Sequence, residues 1–596
     1  MKSIAKVALP IFLDKEFDYS FSSKLDLKRG VRVLVDFRGR KRIGLVVGLA
    51  DESRVKKLKD VVDLFDRRPL LREDHFTFAE KLSQFYPYPF EEFLFMMIPA
   101  YLKKPQRTDL DYFQSAATKD DSVSKVFIKS AKITDRYQRW RGLVRKALGQ
   151  GSVMICFPQM TYLLEAEKLI AKDFPGQIKV LHSKKSEKDF FNTWQKSRRK
   201  SLILGTRMAL FYYPIDLKLI VIEEEDSRHY FQEEKPFYDL REAADLLSES
   251  LGVNLVLAGS YPSLATYKSI VDGKTKLGEL EENPKDISVV DLGGFSRKKV
   301  VGPVLIELLS KVTKANKRSV VLWNKKGFGQ IVACSTCGYI YKCIHCSGFL
   351  QFSLSTQEGR CPYCHRQVSL PSLCSHCQKG YLKSSGLGIE GIASLLKRVF
   401  PEVKIDNWQK HYRDSKITLS TSEILSSLYS SEVFDSGFML DTDSLLSRPD
   451  YRATFDTFLY IKKLSNFFCK SMHVFTRNRQ YYLFDYLNYD WRQFYDKELN
   501  LRKKMGLPPF KLLAKITLRD KNENLLLKQA EGLYNRFQKS FQEVYGPSKA
   551  QPFKLRDKFR YQIIVRTERN LRNRCLVKEI IALLPRTKVQ LAAELY

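Results

Sequence analysis

Short apolar runs broken by turn-forming residues dominate the first hundred positions. "GVRVLVDFRGRKRIGLVVGLA", Gly30 to Ala50, predicts two strands around a basic turn, Arg38-Gly39-Arg40-Lys41-Arg42. "HFTFAEKLSQFY" then spaces its apolar residues as a helix does, so residues 1–98 are predicted as a compact β-rich unit. The stretch 99–124 is polar, contains "KPQRTD" and "ATKDDS", and reads as a linker. From 125 the pattern changes. "KVFI", "SVMICF", "IKVLH", "SLILGT", "LKLIVI" and "VNLVLAGS" are brief apolar runs with helical stretches between several of them, the pattern of a parallel sheet covered on both faces. A second such sheet starts at "SVVLWN" and resumes with "VKID", "KITLS" and "GFMLD". Beyond Arg502, "KMGLPPFKLLAKITLRD", helix "ENLLLKQAEGLYNRFQKSF" and strand "RYQIIVRTE" predict a small α+β domain. The fold class is multidomain α/β. Its segments are 1–98, a linker 99–124, a first parallel-sheet lobe 125–310, the start of a second lobe 311–333, a cysteine-rich module 334–380, the rest of the second lobe 381–500, and a C-terminal domain 501–596.

A chain of 596 residues exceeds what one core supports, and 44% hydrophobic content excludes global disorder. No apolar run approaches the roughly 18 residues of a membrane span. "MKSIAKVALPIFLDKEFDYS" places charges and a proline where a signal peptide needs unbroken apolar residues, so a cytoplasmic protein without membrane contact is expected. Charge alters the picture more. Lys+Arg 101 against Asp+Glu 67 gives +34, an excess that points to a polyanionic partner, nucleic acid before membrane.

Two stretches carry candidate chemistry. "LKLIVIEEED" ends a buried strand in Glu223, Glu224, Glu225 and Asp226, where a nucleotide-driven motor holds Mg²⁺ and activates water. Eight of the eleven cysteines form four C-x-x-C pairs, "CSTC", "CIHC", "CPYC" and "CSHC". Each pair offers two thiolates from a tight turn, and two pairs complete a tetrahedral Zn²⁺ site, so two structural zincs are expected. The inner pairs, Cys343, Cys346, Cys361 and Cys364, are read as sharing one ion across a ribbon hairpin, and Cys334, Cys337, Cys374 and Cys377 the other. His345, His365 and His376 are read as surface residues, not ligands.

A parallel-sheet motor interrupted by a double zinc module resembles the PriA family of bacterial replication-restart helicases. "VALPIFLDKEFDYSF" and "GRKRIGLVVG" are similar to its DNA 3′-end-binding domain. "LILGTRMALF", "LIVIEEEDSRHYFQEEKPFYDLREAADL" and "GSYPSLATY" resemble motifs of its first lobe. "GLGIEGIASLLKRVFP" and "DTDSLLSRPDYRATFD" resemble its second lobe, and "FYDKELNLRKKMGLPPF" the start of its C-terminal domain. The resemblance implies an ATP- and Mg²⁺-dependent 3′→5′ DNA helicase that binds forks, single strands and 3′ ends and works with primosome proteins and single-stranded-DNA-binding protein. It implies a 3′-end pocket lined by Phe17, Asp18 and Lys59, with Arg38 and Gly39 beside it, and an aromatic-rich loop whose Tyr230, Phe231 and Tyr238 suit base stacking. For "FDY" and Phe237 ordinary strand and core packing compete with these roles.

The departures bear on mechanism. The family's phosphate loop, G-x-x-G-x-G-K-T, aligns with "SAKITDRY", which has no glycine; Arg136 falls at the lysine and Tyr137 at the Mg²⁺-binding hydroxyl. Gly273-Lys274-Thr275 is rejected as a substitute, because Lys268 stands where the earlier glycine belongs and no helix is expected after it. The family's "DEEH" reads Glu-Glu-Glu-Asp at 223–226. Its arginine motif aligns with "YIKKLSNFFCK", putting Asn466 and Cys469 at the arginine positions, and motif V has become "LSTSEILSSLYS". The winged-helix segment is expected to be absent. The acids at 223–226 are therefore read as vestigial, with no catalytic residue assigned. A PriA-like restart protein without ATPase activity is the leading expectation, against an active helicase or a zinc-dependent DNA-binding scaffold without a restart role.

Overall fold

A computed structural model of the chain describes residues 2–11, 16–22, 25–55, 57–107, 123–279, 286–293, 302–324, 329–353, 358–408, 414–427, 434–583 and 590–596. It divides into two units, one built mainly from residues up to 280 with 568–583, the other mainly from 281–567.

In the first unit the alternating segment closes into a barrel of five strands: β1 (Lys2–Ala8), β2 (Phe17–Ser22), β3 (Arg32–Phe37), β4 (Arg40–Ala50) and β5 (Lys59–Leu64), ordered β1-β2-β5-β3-β4. The inward positions Val7, Tyr19, Phe21, Val33, Val35 and Val46 form its core. The basic turn is tighter than its five residues suggest. Phe37 pairs with Arg40, and only Arg38 and Gly39 turn the chain, at φ 53° and 78°. That is the two-residue hairpin geometry whose twist suits the flanking strands. The expected helix comes next, at Glu73–Phe85.

The expected linker begins as anchored chain. Arg32, fully buried, pairs with Asp66 at 2.6 Å and donates to the carbonyls of Leu102 (2.6 Å) and Gln106 (3.2 Å). Arg107 adds an ion pair with Asp63 at 2.8 Å. Residues 108–122, the rest of the expected linker, lie outside the described residues.

All six apolar runs after 125 are strands: β6 (Lys125–Lys129), β7 (Ser152–Cys156), β8 (Ile178–Leu181), β9 (Leu202–Gly205), β10 (Leu217–Glu223) and β11 (Asn254–Gly259). With β12 (Lys276–Glu279) they form a parallel sheet ordered β12-β6-β11-β10-β7-β9-β8. The pattern does not predict β12, because four residues "KLGE" show no apolar run. Gly273-Lys274-Thr275 leads directly into this edge strand, so the triplet opens no phosphate-binding helix.

The second unit holds a six-stranded parallel sheet. Its order is Asp286–Asp291, Cys469–Thr476, Phe434–Met439, Ser319–Leu322, Ile417–Ser420, Ile405–Asn407. The strand Asp286–Asp291 pairs in parallel with Ser471–Thr476, and Leu305 and Leu309 of the helix Pro303–Lys314 pack on Val321 and Phe438. The boundary expected at 310 therefore moves back to about 280. Its cause is long-range pairing, invisible in the local pattern. Between these strands, Gly329–Cys334 and Leu382–Leu387 pair antiparallel and carry the cysteine-rich module out of the sheet. Further on come strands Lys511–Asp520, Glu543–Leu555 and Lys558–Glu568 with helix Glu523–Ser540, as the C-terminal pattern predicts. Among the described residues no helix is long and apolar enough to cross a membrane.

Candidate functional site

β6 hands over to the helix Ile133–Leu148 through three residues, Ser130 to Lys132. This is where a phosphate loop would need several free amides. The Ser130 amide instead donates to the Gly259 carbonyl at 3.2 Å. Helical side chains slant toward the N-terminus, so Arg136, in the first turn, reaches back over the strand ends. Its guanidinium is fully buried. Nε donates to Glu223 Oε1 at 2.7 Å, Nη2 lies 2.6 Å from Glu223 and 2.5 Å from Glu224, and Nη1 donates to the Ser130 carbonyl at 2.5 Å. Trp140 Nε1 donates to the other Glu223 oxygen at 3.1 Å. Burial pushes the Glu223 carboxyl above the ordinary carboxylate range, and the Arg136 guanidinium pulls against it. Glu224 sits in left-handed backbone, φ 54°, a conformation that non-glycine residues adopt mainly where surrounding contacts enforce it.

The other acids are equally engaged. Glu225 accepts from the Ser263 amide and hydroxyl and from the Thr266 hydroxyl, each at 2.7 Å. The Tyr137 hydroxyl donates to Asp173, which also takes Arg141 (3.0 Å) and Arg145 (2.8 Å). Burial, then Asp173, raises the phenol's pKa. These residues do not fit an ATP–Mg²⁺ complex. The phosphate-loop amides are too few, and a fixed cation stands between the carboxylates that would face the metal. In the second unit the segment aligned with the arginine motif is the end of helix Ala453–Phe468, running straight into the strand Cys469–Thr476. Motif V continues from the strand Ile417–Ser420 into a short 3₁₀ turn, Ser422–Ser427, and its residues 428–430 lie outside the described residues.

The cysteines gather as two tetrads, Cys334/Cys337/Cys374/Cys377 and Cys343/Cys346/Cys361/Cys364, the Sγ atoms of each within 4.8 Å of one another. Cys334–Cys377, Cys337–Cys374 and Cys343–Cys364 sulfurs are 3.6, 3.8 and 3.8 Å apart. A tetrahedron with Zn–S of about 2.3 Å has edges of about 3.8 Å, so the donor sets fit such an ion. Backbone amides of Thr336 and Cys337 point at Cys334 Sγ, of Tyr363 at Cys361, and of His376 at Cys374, at 3.3 to 3.4 Å. Gly380 packs against the first tetrad so closely that a Cβ there would lie 2.4 Å from Cys334 Sγ. The two tetrads can therefore hold metal ions such as zinc. His345, His365 and His376 belong to neither.

The barrel brings four of the five residues expected to line a 3′-end pocket around Phe37 and Asp36, two residues that the sequence pattern does not single out. Phe17 stands edge-on to Phe37, ring centres 4.9 Å apart, and the Arg38 guanidinium lies over Phe37 at 5.5 Å. Asp36 takes the Lys59 ammonium and, at 3.0 Å, the Gly39 amide. These two bonds, Lys59 first, hold its carboxyl below the usual range. An aspartate separated by one residue from a two-residue turn, within reach of the turn's glycine amide, was the available signal. Asp18, the fifth, accepts from the Ser53 hydroxyl at 2.5 Å.

The stacking residues of the aromatic loop need correction. Tyr230 and Tyr238 are 0% and 1% exposed. Tyr230 donates to the Cys156 (2.9 Å) and Glu223 carbonyls, and Tyr238 stands edge-on to Phe211. Burying both rings outweighs displaying them, and no base can reach either. Phe237 is core as well, while Phe231 is half-buried.

Two parallel-sheet lobes, a cysteine module inserted in the second, and a β-barrel before the first define a protein of helicase-like architecture. Comparison narrows the class. Residues 6–99 match the family model described as 3′DNA-binding domain (3′BD) of PriA, and residues 503–592 the primosomal protein N C-terminal domain. Replication restart protein PriA of Bacillus subtilis is 24% identical over 84% of this chain and 67% of its own length. That of Chlamydia muridarum is 27% identical over 71% and 62%, and that of Rickettsia conorii 24% over 94% of both. The chain thus spans about two thirds of the first two relatives and nearly all of the third. Its first and last domains thus match PriA family models, and its similarity to PriA proteins runs along most of the chain.

Proposed function

We propose that this chain is a PriA-type replication-restart protein that binds forked and single-stranded DNA and supports primosome assembly without hydrolysing ATP. One observation carries the second half: the buried Arg136 guanidinium between Glu223 and Glu224. Phosphoryl transfer rests on positioning and charge stabilisation by loop amides, a lysine, Mg²⁺ and an arginine. In this lobe a cationic side chain of the protein already occupies the carboxylates that would hold Mg²⁺. Arginine, protonated throughout the accessible pH range, cannot release them by titration. The DNA-binding half is supported by the 3′DNA-binding domain match over residues 6–99 and by the charge of +34. Phe17, Asp18, Arg38, Gly39 and Lys59 are proposed to receive a 3′ end, Phe231 to contact single strands, and two Zn²⁺ to fill the tetrads. Primosome proteins and single-stranded-DNA-binding protein are the proposed protein partners.

The test mixes protein, forked DNA, Mg²⁺ and ATP and monitors phosphate release. No DNA-stimulated turnover is expected. Turnover that disappears in Glu224→Gln overturns the reading.

A further inference from the structure

The two tetrads differ in what touches their sulfurs. Among the described residues, the amides pointing at the first tetrad come from its own knuckles, those of Thr336, Cys337 and His376 among them. The second tetrad also receives an amide from 210 residues away. Arg556 N donates to Cys346 Sγ at 3.4 Å. Arg556 opens the two-residue turn of the hairpin formed by strands Glu543–Leu555 and Lys558–Glu568. Both turn residues, Arg556 and Asp557, lie in left-handed backbone, at φ 51° and 64°.

The same turn grips the knuckle at three further points. Asp557 N donates to the His345 carbonyl at 2.9 Å, and Lys554 Nζ to the Ile344 carbonyl at 3.2 Å. His345 Nδ1 lies 2.8 Å from both Asp557 carboxylate oxygens, while Arg366 donates to His345 Nε2 at 2.8 Å. This arrangement places the ring proton on Nδ1, facing Asp557. Leu555 packs against Val332, Cys343, Cys346, Leu350 and Cys361.

We propose that the second tetrad is a metal-operated latch for this hairpin: metal ligation makes Cys346 the acceptor that seats the Lys554–Lys558 turn, so that metal occupancy and docking are one equilibrium. A coordinated thiol is a thiolate and a good acceptor for an amide, whereas a free thiol accepts weakly. Four thiolates on a divalent ion also leave net negative charge, beside a knuckle whose Ile344 carbonyl and His345 ring hold the Lys554 ammonium and the Arg366 guanidinium. Linkage makes the effect reciprocal: a seated hairpin raises metal affinity by the same factor by which the metal favours seating. The inference rests on the reading of the tetrads as metal sites, and the experiment separates the two.

The full chain is loaded with zinc and its content measured. Amide exchange at residues 553–559 is then measured by mass spectrometry. With two zincs bound, Cys364→Ser should lose one and raise exchange in that peptide about tenfold. Cys337→Ser should lose the other and leave the peptide unchanged. In the Cys337→Ser background, adding Asp557→Gly (glycine tolerates the turn) should lower the zinc affinity of the second tetrad, measured at equilibrium against a competing chelator, about tenfold, the scale of one lost charge-assisted hydrogen bond. Two zincs in the unaltered chain with an unchanged peptide in Cys364→Ser, or unchanged zinc affinity with Asp557→Gly, overturns the latch. One zinc or none per chain overturns the metal reading and the latch with it.

Discussion

The acidic strand end in the first unit and the cysteine module in the second are both clusters of anionic ligands, and they solve the same electrostatic problem in opposite ways. Glu223 and Glu224 are buried with a cation the chain itself supplies, Arg136, so the cluster is closed. The tetrads have eight sulfurs at metal-binding spacing and a small apolar core around Cys343, Cys346 and Cys361. As metal sites they would take their countercharge from outside the chain. A ligand set therefore indicates a metal only after the surrounding structure has been searched for an internal cation.

Metal removal should separate the two regions most sharply. Structural zinc in small modules supplies about 10–16 kcal/mol of folding free energy. Chelation is expected to abolish amide protection across 329–387 while leaving the first unit's thermal transition in place. A common loss of both transitions would break the comparison. Arg136→Ala comes next. Leaving two buried carboxylates without their partner costs about 3–5 kcal/mol, readable as a lower urea midpoint with zinc content unchanged at two. Arg136→Met combined with Glu223→Gln and Glu224→Gln should recover most of it. A single-variant loss under about 1 kcal/mol would show that the pair is not buried as described.

Gly380→Ala is expected to sharpen the tetrad side. Its methyl group would press on Cys334, and metal should be lost from the first tetrad alone; two zincs retained at wild-type affinity would count against the geometry. Tyr230→Phe removes a buried hydroxyl and should destabilise by about 1 kcal/mol without altering affinity for single-stranded DNA. A clear drop in that affinity would return the ring to the DNA-binding surface. Smallest in stability terms is Asp18→Ala, expected to weaken discrimination between forks with free and blocked 3′ ends while general affinity and its steep salt dependence persist. Equal binding of both forks by the wild type removes the pocket.

Several features were readable from the chain directly. The six strands of the first sheet were visible as apolar runs of four to seven residues, since burial on both faces leaves an unbroken signature. The tetrads were visible in the spacing, because a C-x-x-C turn is local and its partner pairs are offset by one hairpin. The hairpin at Arg38-Gly39 and the helix at Glu73–Phe85 were legible for the same reason. Legibility failed where one residue had to be weighed against another far away. Asp286–Asp291 looked like first-lobe sequence and pairs with a strand some 185 residues later. The start of the linker looked free and is held by Arg32, 70 and 74 residues before it. Tyr230 and Tyr238 sat among charges and turned inward, because apolar area removed from water outweighed the polarity of their neighbours.

By itself, then, the sequence determined the inventory: which strands form, which cysteines group, that no glycine stands between the first strand of the first lobe and its helix, and that the net charge suits a polyanion. These depend on residues within a few positions of one another. Only the tertiary structure decided what became of the acids. Arg136 meets Glu223 across 87 residues because a helix first turn and the ends of β6 and β10, one strand apart in the sheet, converge there. His345 meets Asp557 across 212 because a turn in left-handed backbone presents its amides to a knuckle. Electrostatic partners act through space over a few ångströms, and the order of residues along a chain does not encode that distance.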